Sequence, residues 1–586
     1  MTHQQQVSIY NGLVETDFPS GISNCIDPRA YLASSKRRDP DTPSFMEAVT
    51  GADQHEWEEA LKMEIKTLLS QNTWSRVNRS DIPLGVDGAK HPVLKGMWAL
   101  KIKRLPDGSP LKFKARYVVR GDMQKEGIDY HETYAPVVQW SSIRLLLTLV
   151  LAHNWTTKQV DYTNAFAQAK LKEEVYVEPP KGFTNQDGQD KVPKLHTSLY
   201  GLKQAPRTFF QKLRAGLLER GFVQSDHDER LFLKKDMICV VYVDDTILAG
   251  PDQTALDAMI KSLGVREADQ SHSFGLRDEG EVGDFLGIRI KKCGDKFLLT
   301  QPGLTRKVLK VTGMEDCNAT STPATTVPLG LDKDGEPFDE KWEYASVIGM
   351  LMYLANNSRP DIAFAVNQCA RFTHQPKQSH AGGVKRILRY LKGTMDKGMY
   401  LQPTKDLSLD CHIDADFAGL YGFEHDQDPI CVKSRTGYLI TFMNCPLLWV
   451  SKLQSLIALS TMEAEYIALS QAMRDLIALR GIIMEIKHYT FNGDLAKLDM
   501  STISPTFIPH SLVHEDNEAC LKFATMPKIS PRTKHIAIPY HFFRSKVENM
   551  ENKVVSINTS NQLADQFTKG LPGSKFTYAR KALMGW

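Results

Sequence analysis

Tyr242-Val243-Asp244-Asp245 sets two adjacent carboxylates at the tip of an apolar hairpin. The flanking runs, Ile238 to Val241 and Thr246 to Gly250, are β-prone and predict two strands around a tight turn. Two carboxylates held that close repel each other unless a cation neutralises them. Mg²⁺, which takes one or two carboxylates together with substrate phosphates, suits such a pair. An acidic turn with no ligand is the plainer alternative, since Asp is a common turn residue. A third acid adds weight to the chemical reading: residues 155–161 read as a strand ending at Asp161, followed by a turn into Ala165 and Phe166. Joining nucleotides calls for two metal ions about 4 Å apart, held by carboxylates from separate strands. Asp161 and Asp244 could supply them. Successive strand side chains point to opposite faces, so Asp244 is expected to bridge the ions and Asp245 to be the outer ligand.

A second set of acids follows residue 405. Residues 408–416 read as a strand carrying Asp414, and residues 461–486 as a long helix. On that helix Glu465 shares a stripe with Leu469, Ala472, Leu476 and Leu479, where an unpaired carboxylate would be costly. Glu463 reads as an ordinary surface acid. Residues 512–516 read as a strand ending at Asp516, with a helix starting at Asn517; Asp516 could equally be the N-cap of that helix. Asp565 sits on a short predicted helix stopped near Gly570 and Pro572.

The elements that would position a polyanion beside these acids are also legible. Asp107-Gly108 is a strong hairpin signal. Folding about it pairs Lys103 with Lys112 and Lys101 with Lys114, and leaves Arg116 on the same face. Trp98, Leu100, Ile102, Phe113, Ala115 and Tyr117 alternate onto the other face. Like charges directly opposite one another destabilise a ladder, and a bound triphosphate or nucleic-acid backbone would remove that penalty. A solvated basic edge that discourages aggregation is the alternative. Residues 380–392 predict an amphipathic helix with Val384, Ile387, Leu388 and Leu391 inward. Lys385, Arg386, Arg389 and Lys392 lie beside that stripe, either to grip phosphates or simply to be solvated.

Residues 161–166 followed by Tyr-Val-Asp-Asp resemble the palm of reverse transcriptases of copia-type LTR retrotransposons. The likeness extends to Lys114-Ala115-Arg116, Gly127-Ile128-Asp129-Tyr130, Thr133-Tyr134-Ala135-Pro136, Glu174-Val175-Tyr176-Val177 and Leu199-Tyr200-Gly201-Leu202-Lys203-Gln204-Ala205-Pro206-Arg207. Together these cover most of residues 45 to 290. The resemblance implies a fingers hairpin bearing Lys101, Lys103, Lys114 and Arg116, with Arg116 on the triphosphate. It also implies that Phe166 is an aromatic gate against a ribose 2′-hydroxyl, and that Gln204 and Tyr242 contact substrate; a core phenylalanine is the alternative for Phe166. The order Asp414, Glu465, Asp516, Asp565 resembles a ribonuclease H domain, which copia-type elements place after their polymerase. Thr533-Lys534-His535-Ile536 and Phe567-Thr568-Lys569 belong to the same likeness. Phe417, Ala537 and Gly570 depart from it, at positions given no catalytic role.

At 586 residues the chain is long enough for several cores. Its hydrophobic and charged fractions, 42% and 24%, are those of ordinary globular protein. A net charge of +3 requires nucleic acid to be met by local basic faces. Nine cysteines without a CxxC pair indicate neither a disulfide framework nor a zinc site. The amino-terminal residues lack a signal-peptide pattern, and the most apolar run, 145–152, is too short to span a bilayer.

The expected fold is α+β: a fingers–palm–thumb polymerase followed by an RNase H-like α/β domain with a mixed sheet. Residues 1–44 read as a loosely ordered leader, 45–325 as fingers and palm, 326–405 as a thumb or connection, and 406–586 as the nuclease. The resemblance implies the C-terminal part of a Pol polyprotein that copies an RNA template from a DNA primer with dNTPs and degrades the RNA of RNA–DNA hybrids. It implies two Mg²⁺ ions per site, with Mn²⁺ as a substitute, and residence in the cytoplasm within a virus-like particle, or in the nucleus. Two alternatives remain at this stage: a relic that binds nucleic acid without catalysis, and a DNA-templated polymerase of another family.

Overall fold

A computed structural model describes residues 22–23, 41–84, 91–104, 110–136, 138–185, 190–265, 272–424, 429–493, 511–525, 543–548 and 552–586. Most of the predicted leader, the Asp107-Gly108 turn and the string 533–536 lie outside these residues. The chain divides into two compact units. One comprises Met1–Pro136, Asp161–Gly221 and Met259–Arg277; the other comprises Val137–Val160, Phe222–Ala258 and Asp278–Trp586.

In the first unit, helix α1 (Gln54–Ser70) buries Trp57, Leu61, Ile65 and Leu68, a stripe at helical spacing. It packs on a two-stranded hairpin, β1 (Gly96–Arg104) and β2 (Pro110–Val119), with Trp57 edge-on to Phe113 at 4.9 Å. The hairpin has the expected register, Lys101 opposite Lys114 and Lys103 opposite Lys112. Trp98, Leu100, Ile102, Ala115 and Tyr117 are buried, while Lys101, Lys103 and Lys112 are exposed. The period-2 alternation thus sends one face to the core and leaves the basic face outward. Strand β3 (Thr156–Tyr162) delivers its last two residues, Asp161 and Tyr162, to this unit. Asn164 then turns the chain through the left-handed region, at φ +46°.

In the second unit, β4 (Met237–Tyr242) and β5 (Asp245–Gly250) pair antiparallel from Ile238 opposite Ala249 to Tyr242 opposite Asp245. Val243 and Asp244 form the two-residue connection, and Val243 has φ +54°. A β-branched residue is strained there, a cost often found where a turn must hold a functional geometry. Helix α2 (Gln378–Gly393) buries Val384, Ile387, Leu388 and Leu391, as its pattern predicts. Of its basic residues, Lys385 pairs with Glu340 at 2.5 Å and Arg386 donates to the Thr322 hydroxyl at 2.8 Å, so both have local partners.

A five-stranded sheet dominates the rest of this unit. Its strands are β6 (Leu409–Asp416), β7 (Arg435–Phe442), β8 (Cys445–Leu453), β9 (Ser511–Glu515) and β10 (Asn552–Ser556), in the order β8-β7-β6-β9-β10. β6, β7 and β8 run antiparallel to their neighbours, whereas β6 with β9 and β9 with β10 are parallel. Helix α3 (Thr461–Glu485) buries residues on nearly every side, as a helix enclosed between a sheet and further elements must. The single turn α4 (Asp565–Thr568) is buried. The chain is α+β, with the mixed sheet in the region expected to carry the second set of acids.

Candidate active sites

β6, α3 and β9 bring Asp414, Glu465 and Asp516 together, with one carboxylate oxygen from each within 4.8 Å of the others. Asp414 lies at the centre of the sheet, Glu465 on the first turns of α3, and Asp516 just past β9. Asp516 is free for this role because Asn517 caps the following helix: its Oδ1 accepts the Cys520 amide at 3.0 Å. Burial pushes the Asp414 carboxyl up to about 7, with Lys569 opposing and Asp565 reinforcing the shift. Burial, together with Glu515 and Asp414, raises Glu465 well above the ordinary carboxylate range. Glu465 Oε2 is buried without a hydrogen-bond partner among the described residues.

These residues fit a divalent ion. An octahedral Mg²⁺ at about 2.1 Å holds ligand oxygens roughly 3 to 4.2 Å apart, so the triad needs only slight tightening. The ion would also neutralise buried carboxylates that burial alone disfavours.

Asp565 stands beside the triad as a fourth acid. It is fully buried and paired with Lys575 and, at 2.8 Å, with Lys569, whose ammonium also lies 3.5 Å from Asp414. Thr568 donates its hydroxyl to Asp414. The sequence reading assigned no role to Glu515, Thr568, Lys569 or Lys575. Glu515 is fully buried next to the triad; its Oε1 accepts the Asn517 amide at 3.0 Å, and burial pushes its carboxyl up to about 8. Glu463 is not the surface acid expected. It is buried, and its carboxylate accepts the Leu459 amide at 2.9 Å while Ser460 accepts the Glu463 amide at 3.2 Å. The Ser-x-x-Glu spacing was the signal for that capping role.

The first unit holds a cleft of about 350 Å³ lined by Glu64, Lys112, Lys114, Arg116, Asp161, Asn164, Tyr200 and Arg277, among others. Four cations, Lys112, Lys114, Arg116 and Arg277, around the two carboxylates Glu64 and Asp161 suit a polyphosphate bound with metal. The Arg116 guanidinium lies over the Tyr200 ring at 4.4 Å. Glu64 is buried at the back of the cleft, accepting from the Tyr117 amide and from Asn164 Nδ2, each at 3.4 Å. Sequence reasoning missed it, since nothing local separates it from the other α1 acids. Lys101 and Lys103 do not line this cleft; they continue the basic face further along the hairpin.

Phe166 is 8% exposed and meets Tyr200 edge-on at 4.7 Å. Gln204 is buried; its amide donates to Asp129 O at 2.8 Å and its Oε1 accepts from Gln124 at 3.0 Å. Its polar atoms therefore serve an internal network in this conformation. Asp244, Asp245 and Tyr242 lie in the second unit, all half-buried around the β4–β5 turn.

Residues 87–326 match the family model described as reverse transcriptase (RNA-dependent DNA polymerase). The Pol polyprotein of transposon RE1 of Arabidopsis thaliana is 33% identical over 554 residues, covering 94% of this chain and 35% of its own length. That of transposon TNT 1-94 of Nicotiana tabacum is 32% identical over 570 residues, 94% of this chain and 39% of its own. The chain belongs to the copia-type retrotransposon Pol family. It spans about a third of the length of these relatives and carries their reverse transcriptase domain. A foamy viral protease–reverse transcriptase solved in complex with double-stranded DNA aligns over 95% of this chain and 78% of its own, at 12% identity and a TM-score of 0.44.

Proposed function

We propose that this copia-type Pol segment is an RNA-directed DNA polymerase with a C-terminal ribonuclease H. The observation that carries the two-activity reading is the buried Asp414–Glu465–Asp516 triad, on a mixed sheet downstream of a reverse transcriptase domain. In this reading residues 45–325 hold fingers and palm, 326–405 the connection, and 406–586 the nuclease.

Asp414, Glu465 and Asp516 would hold the nuclease ions, with Asp565 beside them, and Asp161, Asp244 and Asp245 are the acids that the family resemblance assigns to the polymerase ions. A divalent ion, Mg²⁺ by the chemistry of the donors, would when bound supply Lewis acidity toward a primer hydroxyl, a water and the departing oxygen. The remaining work falls to the chain itself. Lys114 and Arg116 neutralise the incoming triphosphate, and Lys101 and Lys103 extend the basic face toward nucleic acid. Phe166, backed by Tyr200, is the proposed gate against a ribose 2′-hydroxyl. Gln204 supports the hairpin side of the site through Gln124 and Asp129, and Tyr242 lies beside the acidic turn. Substrates are an RNA template, a DNA primer, dNTPs and the RNA–DNA hybrid, and the family's virus-like particle in the cytoplasm is the proposed setting. No helix among the described residues is long and apolar enough to cross a membrane.

Mg²⁺-dependent primer extension on an RNA template, with Asp244→Asn alongside, tests the polymerase. Hybrid cleavage with Asp414→Asn tests the nuclease separately. A chain that binds hybrid yet neither extends nor cleaves is a non-catalytic relic, and the proposal fails.

A further inference from the structure

Two loops flank the acid triad in sequence, and both are apolar where they meet solvent. One leaves β6 and carries Phe417, Tyr421 and Phe423; the other enters α3 and carries Leu456, Ile457 and Leu459. All six side chains are exposed, Tyr421 to 65% and Leu459 to 73%. Single apolar residues scattered on a surface need no explanation, but six on two adjoining loops do. Ser434 ties the loops together: its hydroxyl accepts the Ala418 amide at 3.3 Å, and its carbonyl accepts the Gln454 amide at 2.8 Å. The first loop is also built to hold its shape. The amides of Tyr421 and Phe423 donate to Ala418 O at 2.9 Å and Leu420 O at 3.0 Å. Leu420 is buried, as is Glu424, which accepts the Leu331 amide at 2.8 Å and pairs with Arg371. A side chain at Gly419 would strike the Asp416 carboxylate, so glycine lets the loop lie against the strand end. Anchored in this way, the exposed rings have little backbone freedom left to lose on binding.

We propose that this rim stacks on an unpaired nucleobase of a strand leaving the RNA–DNA hybrid, with Tyr421 as the principal platform. Bases inside a duplex are already stacked on one another, so an aromatic ring takes one that is unpaired. A protein seated on the rim would lie across the approach to the acids, where the substrate has to pass; a strand of that substrate does not obstruct it. Stacking accepts any base, because every base has a π-face. That tolerance suits an enzyme that acts along a whole transcript. The inference rests on the nuclease reading above, whose own test is loss of hybrid cleavage in Asp414→Asn.

The test uses full-length chain carrying Asp414→Asn, with hybrids that bear a short single-stranded extension at each end of the RNA or the DNA strand in turn. Binding is measured by fluorescence anisotropy while the bases of the extension are replaced, one at a time, by abasic sites. In one extension a single abasic position is expected to weaken binding about tenfold, the scale of one stacked base. That loss should vanish when Tyr421→Ala is added and persist with Tyr421→Phe. The extension that shows it identifies which strand passes the rim. No position-specific loss, or an equal loss with and without Tyr421→Ala, would overturn the proposal. A loss that persists in Tyr421→Leu would also overturn it, since apolar area would then suffice without a ring. Self-association of the chain that Tyr421→Ala abolishes would give the rim to a second copy and equally end the proposal. Tyr421 is exposed, so its variants should melt with the parent; where one melts lower, Phe423→Ala takes its place in the same cycle. Failure of the nuclease reading is seen independently, as cleavage by the parent chain that Asp414→Asn does not remove.

Discussion

Asn517 Oδ1 accepts the Cys520 amide at 3.0 Å, and this bond decides what Asp516 does. A helix start needs one capping oxygen. With Asn517 in that place, the preceding carboxylate turns to Asp414 and Glu465. Asn517→Ala is therefore expected to lower stability by about 1 kcal/mol and to weaken divalent-metal binding at the triad. Chemical denaturation and Mn²⁺ titration by electron paramagnetic resonance measure the two effects. Unchanged metal binding would separate the cap from the site.

The triad crowds carboxylates that burial already disfavours as anions, so the metal should stabilise the fold as well as act in chemistry. Adding Mg²⁺ to metal-stripped protein is expected to raise the melting temperature by several degrees, the size set by binding to the folded state alone. Asp414→Asn should remove most of that gain. It should abolish hybrid cleavage while leaving RNA-templated extension at parental rates. A variant that loses both activities together would argue for a folding defect.

Lys103 and Lys112 face each other on an exposed ladder. Lys103→Glu replaces repulsion by attraction, a gain of roughly 0.2–1 kcal/mol for the hairpin. The same change should weaken template–primer binding and reduce its dependence on salt by about one counterion. Binding isotherms at several salt concentrations check both signs. A substitution that stabilises the protein and leaves the salt slope unchanged would make the basic face a solvated edge.

Phe166 both packs and, in the proposed role, gates. Phe166→Val shortens the side chain beside Tyr200 and should admit ribonucleotides, raising relative rNTP incorporation by an order of magnitude or more. A core role alone would lower the melting temperature with the rNTP-to-dNTP ratio unchanged. Steady-state incorporation of matched dNTP and rNTP pairs distinguishes them.

Local pattern carried the elements and much of the site. The alternation in residues 97–119 and the Asp107-Gly108 signal were enough to set the Lys101–Lys114 and Lys103–Lys112 register, because a period of two leaves one face to bury. The apolar stripe on α3 placed Glu465 inward for the same kind of reason. What pattern could not carry were contacts made across the sequence. Lys569 and Thr568 reach Asp414 from about 150 residues away, and no periodicity encodes that approach. Gln204 read as a substrate contact because its motif is distinctive, yet its partners, Gln124 and Asp129, are brought to it only by the fold. Glu515 and Asp516 are adjacent acids at a strand end, and which one is fully buried and which one joins the triad depends on the turn that Asn517 makes.

Glu64 links α1 to the basic cleft of the first unit, and its carboxyl is the group whose titration should be visible there. Burial raises it above the usual carboxylate range, opposed by bonds from the Tyr117 amide and Asn164 and by the charges of Arg116 and Lys114. A carboxyl whose folded value lies above its unfolded one stabilises the fold fully below the unfolded value, near 4.5. That contribution is lost as pH rises through the folded value. The parent chain should therefore lose part of its thermal stability between mildly acidic and neutral pH, and Glu64→Gln should flatten that part of the profile. Because the ionised carboxylate also faces Lys114 and Arg116, Glu64→Gln frees those cations for an incoming anion. Triphosphate should then bind more tightly near neutral pH, by a factor of a few, while extension slows if Glu64 is needed to hold Asn164 beside Asp161. Melting profiles across pH, with KM and kcat for dNTP measured separately, test this account. A pH profile identical in parent and variant would show that Glu64 does not titrate as its surroundings require.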